Sequence, residues 1–521
     1  MKNTSYARKT IVNSITGIIS YSVVMISTMV VRIVFSHYLS KELLGLNSLY
    51  SSILDLLLIS ELGIATAMVV FLYEPVQLND KKTIKLVMNY YAKLYKIFCF
   101  VLFVLGILVL FFVLPYIVNV TTINEKEYKI YFFLFLIGTL TSYLFAHLKS
   151  LFYASQQNFI VTMANAIQRL IISILQCFII IQYKDFFLFL IIRIIGNIIE
   201  NICLRFIVIK QFPYIKEKCK EEIDEQSKHK IAQIIKPVFI TQVADKVLSQ
   251  TDTILINKFI NIIVLGIFSN YNIIIAACKG VFSPIGGALT TSYGGLSVNK
   301  SPQQKYEAFL KSYPFAHLTI TLICSFFITY IQDFIKIAFG DSFLLSNKTC
   351  LIFTLYLYLD LLKTIFYSYQ NALGLQKLDQ RQMLLQVPFN IIISIILGYK
   401  LGLDGIILGT IITLLVFPVR YKGYIIYKKV FCVKSGLYFK KILIDSSISF
   451  IILIILFLLT NHFIAETILH LVLKVIIFIL IIISLNVLAM SINNYKVFIE
   501  FLKRKCHILK GGRHENDKKN I

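Results

Sequence analysis

Apolar segments long enough to cross a membrane recur along the whole chain, and this feature restricts the fold more than any other. About 20 mostly apolar residues cover the hydrocarbon core of a bilayer, and segments 101–115 with its flanks and 448–459 have this character. The chain is 57% hydrophobic and 15% charged, with a mean hydropathy of +0.77, whereas soluble domains are about a quarter charged. We therefore predict an all-α integral membrane protein.

Fourteen transmembrane helices are predicted. They cover residues 10–35, 47–72, 95–118, 130–152, 163–183, 185–208, 236–257, 264–289, 313–331, 348–370, 383–400, 404–427, 442–461 and 468–490. Lys and Arg concentrate in the two terminal tails and in the loops near 81–93, 209–235 and 428–441. Basic loops resist translocation, so both termini are predicted to be cytoplasmic, and an even number of spans agrees with this.

The composition also excludes several classes of function. The formal net charge of +25 is explained by basic cytoplasmic loops and anionic lipid headgroups, so nucleic acid is not an expected partner. The nine cysteines form no C-x-x-C pair, so neither a disulfide framework nor a metal site is predicted. The chain has no ATP-binding glycine loop, no catalytic signature and only short exterior loops, so we expect a transporter and not an enzyme.

The two halves of the chain resemble each other. Residues 44–50 (LGLNSLY) match 265–271 (LGIFSNY), and 171–174 match 392–395, both at an offset of 221. Six spans per half make the repeats parallel, related by an axis along the membrane normal, with a site at their interface. The predicted domains are a six-helix bundle at 1–209, a cytoplasmic linker at 210–235, a second six-helix bundle at 236–432, and two extra transmembrane helices with a basic tail at 433–521.

Polar residues inside the predicted spans mark a candidate site. In the seventh span Gln242, Asp245, Ser249 and Asp252 share one helical face, and Lys246 lies on the neighbouring stripe. Hydrogen bonding between packed helices would explain a few polar groups, but two carboxylates and an amine favour a water-filled cavity.

Two further groups of charges leave alternatives open. In the tenth span Asp360 and Lys363 are three residues apart, and a simple helical ion pair is the alternative to a place in the cavity. In the second span Asp55 and Glu61 are six residues apart, which turns them about 120° from each other on a helix, so they do not form one carboxylate pair. A deeply buried Glu61 would be able to carry a proton.

Several segments are similar to a known family. Residues 43–54, 60–67, 72–75, 251–256 and 264–271 resemble Wzx-type polysaccharide flippases of Gram-positive bacteria. These belong to the superfamily of multidrug, oligosaccharidyl-lipid and polysaccharide exporters, which also contains MATE drug exporters and lipid II flippases. The resemblance implies two six-helix bundles in a pseudo-twofold, MATE-like arrangement that open alternately to each side of a bacterial plasma membrane.

The resemblance also implies a substrate and partners. The expected substrate is an undecaprenyl-pyrophosphate-linked oligosaccharide of a capsule, exopolysaccharide or O-antigen-like polymer, carried through a cationic cavity among membrane lipids. Glycan polymerases and glycosyltransferases are the expected neighbours. The alternatives are a cation-coupled multidrug exporter, a flippase for lipid II or teichoic-acid precursors, and a membrane glycosyltransferase or polymerase, against which the short exterior loops argue.

Candidate site residues follow from this implied function. Diphosphate and sugar are expected to contact intramembrane bases, since Arg and Lys neutralise phosphate. These bases are Arg32, Arg169, Arg193, Lys246, Lys279 and Lys363. Coupling to H⁺ or Na⁺ is expected at Asp55, Glu61, Asp245 and Asp252, with no other cofactor and no bound metal. Arg169 lies near a predicted cytoplasmic end, and the alternative for this residue is extension of its side chain to the lipid headgroups.

Overall fold

A computed structural model describes residues 2–61, 64–143, 145–216, 223–297, 301–373, 375, 380–460, 469–470, 472–476, 478–484 and 486. The described residues are almost all helical. The α-helices are α1 Lys2–Tyr38, α2 Lys41–Leu57, α3 Ile64–Leu78, α4 Lys81–Leu108, α5 Leu114–Ile117, α6 Glu125–Tyr143, α7 Ala146–Ala154, α8 Asn158–Tyr183, α9 Phe186–Gln211, α10 Glu225–Phe259, α11 Ile262–Ser297, α12 Pro302–Phe339, α13 Asn347–Ala372, α14 Gln380–Leu401, α15 Leu403–Leu414, α16 Gly423–Ile425 and α17 Ser435–Thr460.

The first thirteen predicted spans lie on helices where they are described, and so do the described residues of the fourteenth, 469–470, 472–476, 478–484 and 486. Within the described part of the chain, eleven helices are long and apolar enough to cross a membrane. The prediction of an all-helical, membrane-spanning fold is therefore confirmed, whereas the count of fourteen stays a prediction. The segments 47–72, 236–257 and 468–490 are not among the eleven.

Local sequence explains where the helices begin and end. Asp80 accepts a hydrogen bond from the Thr83 amide at the start of α4, as an N-cap residue does. The turn between α8 and α9 needs only two residues, because Lys184 adopts a left-handed conformation and Asp185 caps α9 through the Phe187 and Leu188 amides. This tight turn makes α8 and α9 antiparallel neighbours, a pairing on which the candidate site depends.

The second predicted span is not one continuous helix. α2 ends at Leu57, a 3₁₀ helix covers Leu58–Glu61, and α3 begins at Ile64. Short 3₁₀ segments within a helical path often mark hinges or functional positions. Glu61, one of the predicted coupling acids, is the last residue of this segment.

The chain forms two compact units, Met1–Asn270 and Tyr271–Ile521. In the first unit the Tyr50 ring packs edge-on against Phe132 and Phe135 at centroid distances of 5.4 and 5.5 Å, and its hydroxyl donates to the Tyr128 carbonyl oxygen at 2.8 Å. In the second unit α13 runs through the interior, with most of its side chains buried. The domain boundaries predicted from the repeat stay a prediction.

The repeated motif has a structural role inside the first unit. A Cβ atom at Gly45 would collide with the Ile262 carbonyl oxygen, and one at Gly266 would lie 2.6 Å from the Lys41 carbonyl oxygen. The glycines at matching positions of the two repeats therefore allow the start of α2 and the start of α11 to pack backbone against backbone. A side chain at either position would force the two helices apart.

Candidate functional site

A polar cavity of about 420 Å³ lies inside the first unit. Residues from α1, α2, α6, α7, α8 and α9 line it, together with Leu58. The lining consists of Val24, Thr28, Ser51, Leu54, Asp55, Leu58, Phe135, Thr139, Ser142, Tyr143, Lys149, Asn165, Gln168, Arg169, Ile172, Arg193, Asn197 and Glu200. Charged and amide side chains at this position within membrane-length helices are typical of a substrate or ion path.

Two of the predicted arginines, Arg169 and Arg193, line this cavity. Arg169 donates to the Thr28 hydroxyl at 3.0 Å. The Arg193 guanidinium carbon lies 4.9 Å from the centroid of the Phe135 ring. Within the described residues, no carboxylate lies within ion-pair distance of either guanidinium.

The acids of the cavity, in contrast, already have basic partners. Glu200 Oε1 is 3.1 Å from Lys149 Nζ. Asp55 Oδ1 is 3.4 Å from Lys246 Nζ, and its Oδ2 accepts from Gln250 Nε2 at 3.2 Å. The positive charge of the cavity is therefore concentrated at the two arginines.

The arginines lie at different depths along their helices. At 1.5 Å per residue, Arg169 lies about 21 Å before the end of α8 and Arg193 about 10 Å after the start of α9, from the bounds of these helices. Because α8 and α9 are antiparallel neighbours joined by a short turn, the two guanidinium groups are about 10 Å apart along the helix axes. An anion moving along these helices would meet them one after the other.

Amide side chains complete the cavity wall between the arginines. Gln168 Nε2 donates to Asn197 Oδ1 at 3.1 Å, and Asn197 Nδ2 donates to the Gly138 carbonyl oxygen at 2.9 Å. The Asn197 side chain is thus held in place by both α6 and α8. Such fixed amides provide hydrogen-bonding groups for a polar ligand such as a sugar.

Arg32 lies elsewhere in the first unit and is buried, with 7% of its surface exposed. Its Nε donates to Asn270 Oδ1 at 2.7 Å, and its Nη2 atom contacts the Ser269 and Ser48 hydroxyls. These contacts join α1 to α2 and to the start of α11. Arg32 does not line the cavity, although the sequence placed it on the substrate path with Arg169 and Arg193.

The predicted coupling acids lie in different surroundings. Glu61 accepts a hydrogen bond from the Tyr95 hydroxyl, and Tyr95 in turn contacts the Tyr91 hydroxyl at 3.4 Å. Asp245 is exposed on α10, and Asp252, two turns further on, is half-buried. Asp55 alone among the four lines the cavity, which agrees with the expectation that Asp55 and Glu61 do not form a carboxylate pair.

The remaining predicted bases, Lys279 and Lys363, meet in the second unit. Asp360 Oδ2 lies 2.7 Å from Lys279 Nζ, and its Oδ1 lies 2.5 Å from Lys363 Nζ. Lys279 also donates to the Tyr356 hydroxyl at 3.0 Å. The predicted helical pair of Asp360 and Lys363 therefore exists, with Lys279 from α11 as an additional member.

Lys149 and Gln168 belong to the cavity but are absent from the predicted site. Lys149 lies inside the predicted span 130–152, where an amine within an apolar segment is itself a signal. The same rule selects its partner Glu200 in the span 185–208. Charged residues inside apolar spans tend to pair with one another or face a cavity, so both could have been found by this criterion.

Comparison with known proteins identifies one family. Residues 8–290, more than half of the chain, match the model of a family described as polysaccharide biosynthesis protein. This range includes every residue of the cavity. No curated protein sequence matches the chain.

Solved structures show the same fold. The chain is similar to the lipid II flippase MurJ in an inward closed conformation, with a TM-score of 0.67 and 18% identity over 94% of this chain and 100% of that chain. An inward-facing multidrug resistance MATE transporter is similar with a TM-score of 0.52 and 12% identity, over 77% of this chain and 96% of that chain. A MATE transporter of Vibrio cholerae is similar with a TM-score of 0.52 and 13% identity, over 78% of this chain and 95% of that chain. The MATE-like architecture expected from the sequence is thereby confirmed.

Proposed function

The chain belongs to the polysaccharide biosynthesis protein family, and from this premise we propose that it is a flippase for undecaprenyl-diphosphate-linked oligosaccharides. It would carry the repeat unit of a capsule, exopolysaccharide or O-antigen-like polymer from the inner to the outer leaflet of a bacterial plasma membrane. The observation that carries the proposal is the pair of arginines, Arg169 and Arg193, which line a polar cavity without carboxylate partners among the described residues.

A diphosphate suits this arrangement. Guanidinium groups form two parallel hydrogen bonds to phosphate oxygens and are less strongly hydrated than ammonium groups. Two of them at different depths allow the diphosphate to pass from one to the other without losing all of its neutralising charge. The amides Gln168 and Asn197 would meet the first sugar, while the polyprenyl chain stays in lipid.

The test compares arginine variants in reconstituted liposomes. Flipping of a fluorescent diphosphate-linked oligosaccharide is measured for Arg169→Gln, Arg193→Gln and the control Arg205→Gln. Arg205 is exposed on α9, with its guanidinium 4.9 Å from the Phe145 ring and outside the cavity. Loss of one charged hydrogen bond costs about 1.5–3 kcal/mol, so each cavity variant should slow flipping about 10- to 100-fold.

The control should flip at the wild-type rate. Wild-type rates in both cavity variants would refute the role of the arginines. A wild-type protein that leaves the oligosaccharide in place but moves a cationic drug would instead favour the multidrug exporter. Flipping of lipid II or a teichoic-acid precursor in preference to oligosaccharides would favour that alternative, to which the MurJ-like fold also corresponds.

Coupling and orientation are part of the same proposal. We assign H⁺ coupling to Glu61 because its carboxylate accepts a tyrosine hydroxyl and no base lies within ion-pair distance of it among the described residues. Asp55, Asp245 and Asp252 remain candidates for Na⁺, and flipping rates under imposed H⁺ or Na⁺ gradients distinguish the two ions. We also propose that both termini are cytoplasmic, which the basic loops favour, and reporter fusions to each terminus would test this.

As a flippase, the protein would make and break no covalent bond. Its neighbours in the membrane would be the glycosyltransferases that build the repeat unit and the polymerase that joins repeat units. Depletion of the protein should leave lipid-linked intermediates on the cytoplasmic leaflet. Unchanged surface polysaccharide in depleted cells would contradict this function.

A further inference from the structure

Asp360 in the second unit forms ion pairs with two lysines, although one lysine would be enough to neutralise its charge. Lys363, one turn away on α13, lies 2.5 Å from one carboxylate oxygen, and Lys279 from α11 lies 2.7 Å from the other. A buried carboxylate needs one positive charge to neutralise it. The second lysine leaves this group of three side chains with a net positive charge inside membrane-length helices, where unneeded charge is costly.

Lys363 lies on a partly exposed stripe of α13, a helix that is otherwise buried. Between residues 352 and 370 of α13, the side chains that are not buried are at 355, 356, 363, 364 and 367. Tyr356, Lys363 and Tyr367 are spaced by seven and four residues and share one face. The Lys279 and Lys363 side chains are 33% and 27% exposed, whereas that of Asp360 is 11% exposed. The two lysine side chains are therefore more accessible to a ligand than the carboxylate that they share.

Both amines retain hydrogen-bonding capacity. A lysine ammonium has three donors. Lys279 uses two of them, for Asp360 and for the Tyr356 hydroxyl at 3.0 Å, and Lys363 uses one. Among the described residues, the other donors of these two lysines have no acceptor.

The backbone holds the two lysine-bearing helices in a defined relation. Ser368 on α13 donates to the Gly286 carbonyl oxygen of α11 at 2.9 Å, and a Cβ atom at Gly286 would lie 3.2 Å from Thr364. Lys279 is two turns before Gly286, and Asp360 is about two turns before Ser368. The close contact at Gly286 thus fixes how near Lys279 comes to Asp360.

We propose that Lys279 and Lys363 form a binding site for an acidic sugar of the transported glycan. The carboxylate of a uronic acid would lie between the two ammonium groups and replace Asp360 as their shared acceptor. The apolar face of the sugar ring would pack on Tyr356, whose hydroxyl contacts Lys279, whereas a face of the Tyr367 ring is covered by Lys422. Asp360 keeps the two amines paired when no glycan is present. This inference rests on the proposed flippase function and specifies its substrate class.

The test measures binding to the full-length purified protein in detergent. The probes are two farnesyl-diphosphate-linked disaccharides that end in glucuronic acid or in glucose, so that they differ only in the carboxylate. Lys363→Met should weaken binding of the acidic probe about tenfold, as expected for loss of one charged hydrogen bond. Binding of the neutral probe should not change. Lys363→Met leaves Asp360 paired with Lys279, so the fold is not put at risk.

Asp360→Asn separates this site from a structural role. Removal of the competing carboxylate frees both amines, so this variant should bind the acidic probe several-fold more tightly, whereas a merely structural ion pair would give weaker binding in both variants. Lys363→Arg should restore the preference for the acidic probe. Lys400→Met, an exposed lysine at the end of α14, should match the wild type.

The remaining outcomes overturn the proposal in distinguishable ways. Equal weakening of both probes by Lys363→Met would mean that the lysines serve the diphosphate or the fold. Equal affinity of the wild type for both probes, with no effect of either variant, would mean that there is no acidic-sugar site. In both cases the flippase function would stand. Binding of neither probe by the wild type would refute the flippase function and this inference together.

Discussion

Glu42, at the start of α2, fixes the segment that follows α5, and replacing it with glutamine should measurably destabilise the protein. Its carboxylate accepts the Thr121 amide at 3.2 Å, the Thr122 amide at 3.1 Å and the hydroxyls of both threonines. Only 4% of the Glu42 surface is exposed. Glutamine keeps one acceptor oxygen but turns an NH₂ group toward the donors that the second oxygen accepts.

The loss of stability in Glu42→Gln can be estimated from the donor that faces the new NH₂ group and loses its acceptor. A part-buried donor that loses its acceptor costs about 1–3 kcal/mol, so we expect Glu42→Gln to cost about 2 kcal/mol. An unfolding entropy of about 2.1 cal/mol/K per residue amounts to about 1 kcal/mol/K for a chain of this length. The midpoint of thermal unfolding should therefore fall by about 2 °C.

The effect should depend on pH in a defined direction. Burial acts to raise the pKa of Glu42, but the hydrogen bonds from Thr122 and Thr121 together outweigh it and hold the pKa below its ordinary value. A carboxyl group with a lowered pKa in the folded state stabilises above its unfolded pKa of about 4.3 and loses this effect as pH falls through the folded pKa. The difference between wild type and variant should be constant at about pH 5–8 and shrink below about pH 4.

Far-UV circular dichroism is the suitable assay, since the chain contains no Trp for intrinsic fluorescence. Glu125→Gln is the matched control, because Glu125 is exposed and, among the residues that the structure describes, pairs only with Lys129 one turn away. The control should shift the midpoint by less than half as much. Equal shifts in the two variants, or a Glu42→Gln effect that persists undiminished below about pH 4, would refute the reasoning.

Two further predictions concern one carboxylate in each unit. Glu61→Gln mimics the protonated acid and should abolish the response of the flipping rate to an imposed pH gradient. Exchange of the lipid-linked substrate between leaflets without a gradient should continue. An unchanged response to the gradient would exclude Glu61 as the proton carrier. In the second unit Lys474 Nζ lies 2.5 Å from Asp333, and the side chains are 7% and 2% exposed. Lys474→Met should therefore lower the free energy of unfolding by about 3–5 kcal/mol, measured as a loss of thermal stability. The double variant Lys474→Met with Asp333→Asn should recover most of this lost stability. If the double variant does not recover it, the ion pair is not the cause of the loss.

The polar residues of the site could be selected from sequence because charge inside an apolar span needs a reason. This rule found Arg169 and Arg193, which line the cavity, and the Asp360–Lys363 pair, whose three-residue spacing is enough to predict contact on a helix. It also selected Arg32, whose neutral partners Asn270 and Ser269 lie more than 230 positions away. Intrahelical spacing can identify a polar face, but it cannot tell which neighbouring helix covers that face.

The sequence by itself determined that this protein is helical and spans a membrane, because the length of an apolar segment and its lack of charge are local properties that the bilayer imposes directly. It also determined the two related glycines, Gly45 and Gly266, that stand at matching positions of the repeat. Only the tertiary structure decided which charges neutralise each other. Lys246 and Asp55 are 191 positions apart and form an ion pair. Arg169 and Arg193 line the same cavity as Asp55, but neither guanidinium is within ion-pair distance of the Asp55 carboxylate. Coulomb attraction depends on separation in space, and helix packing sets that separation.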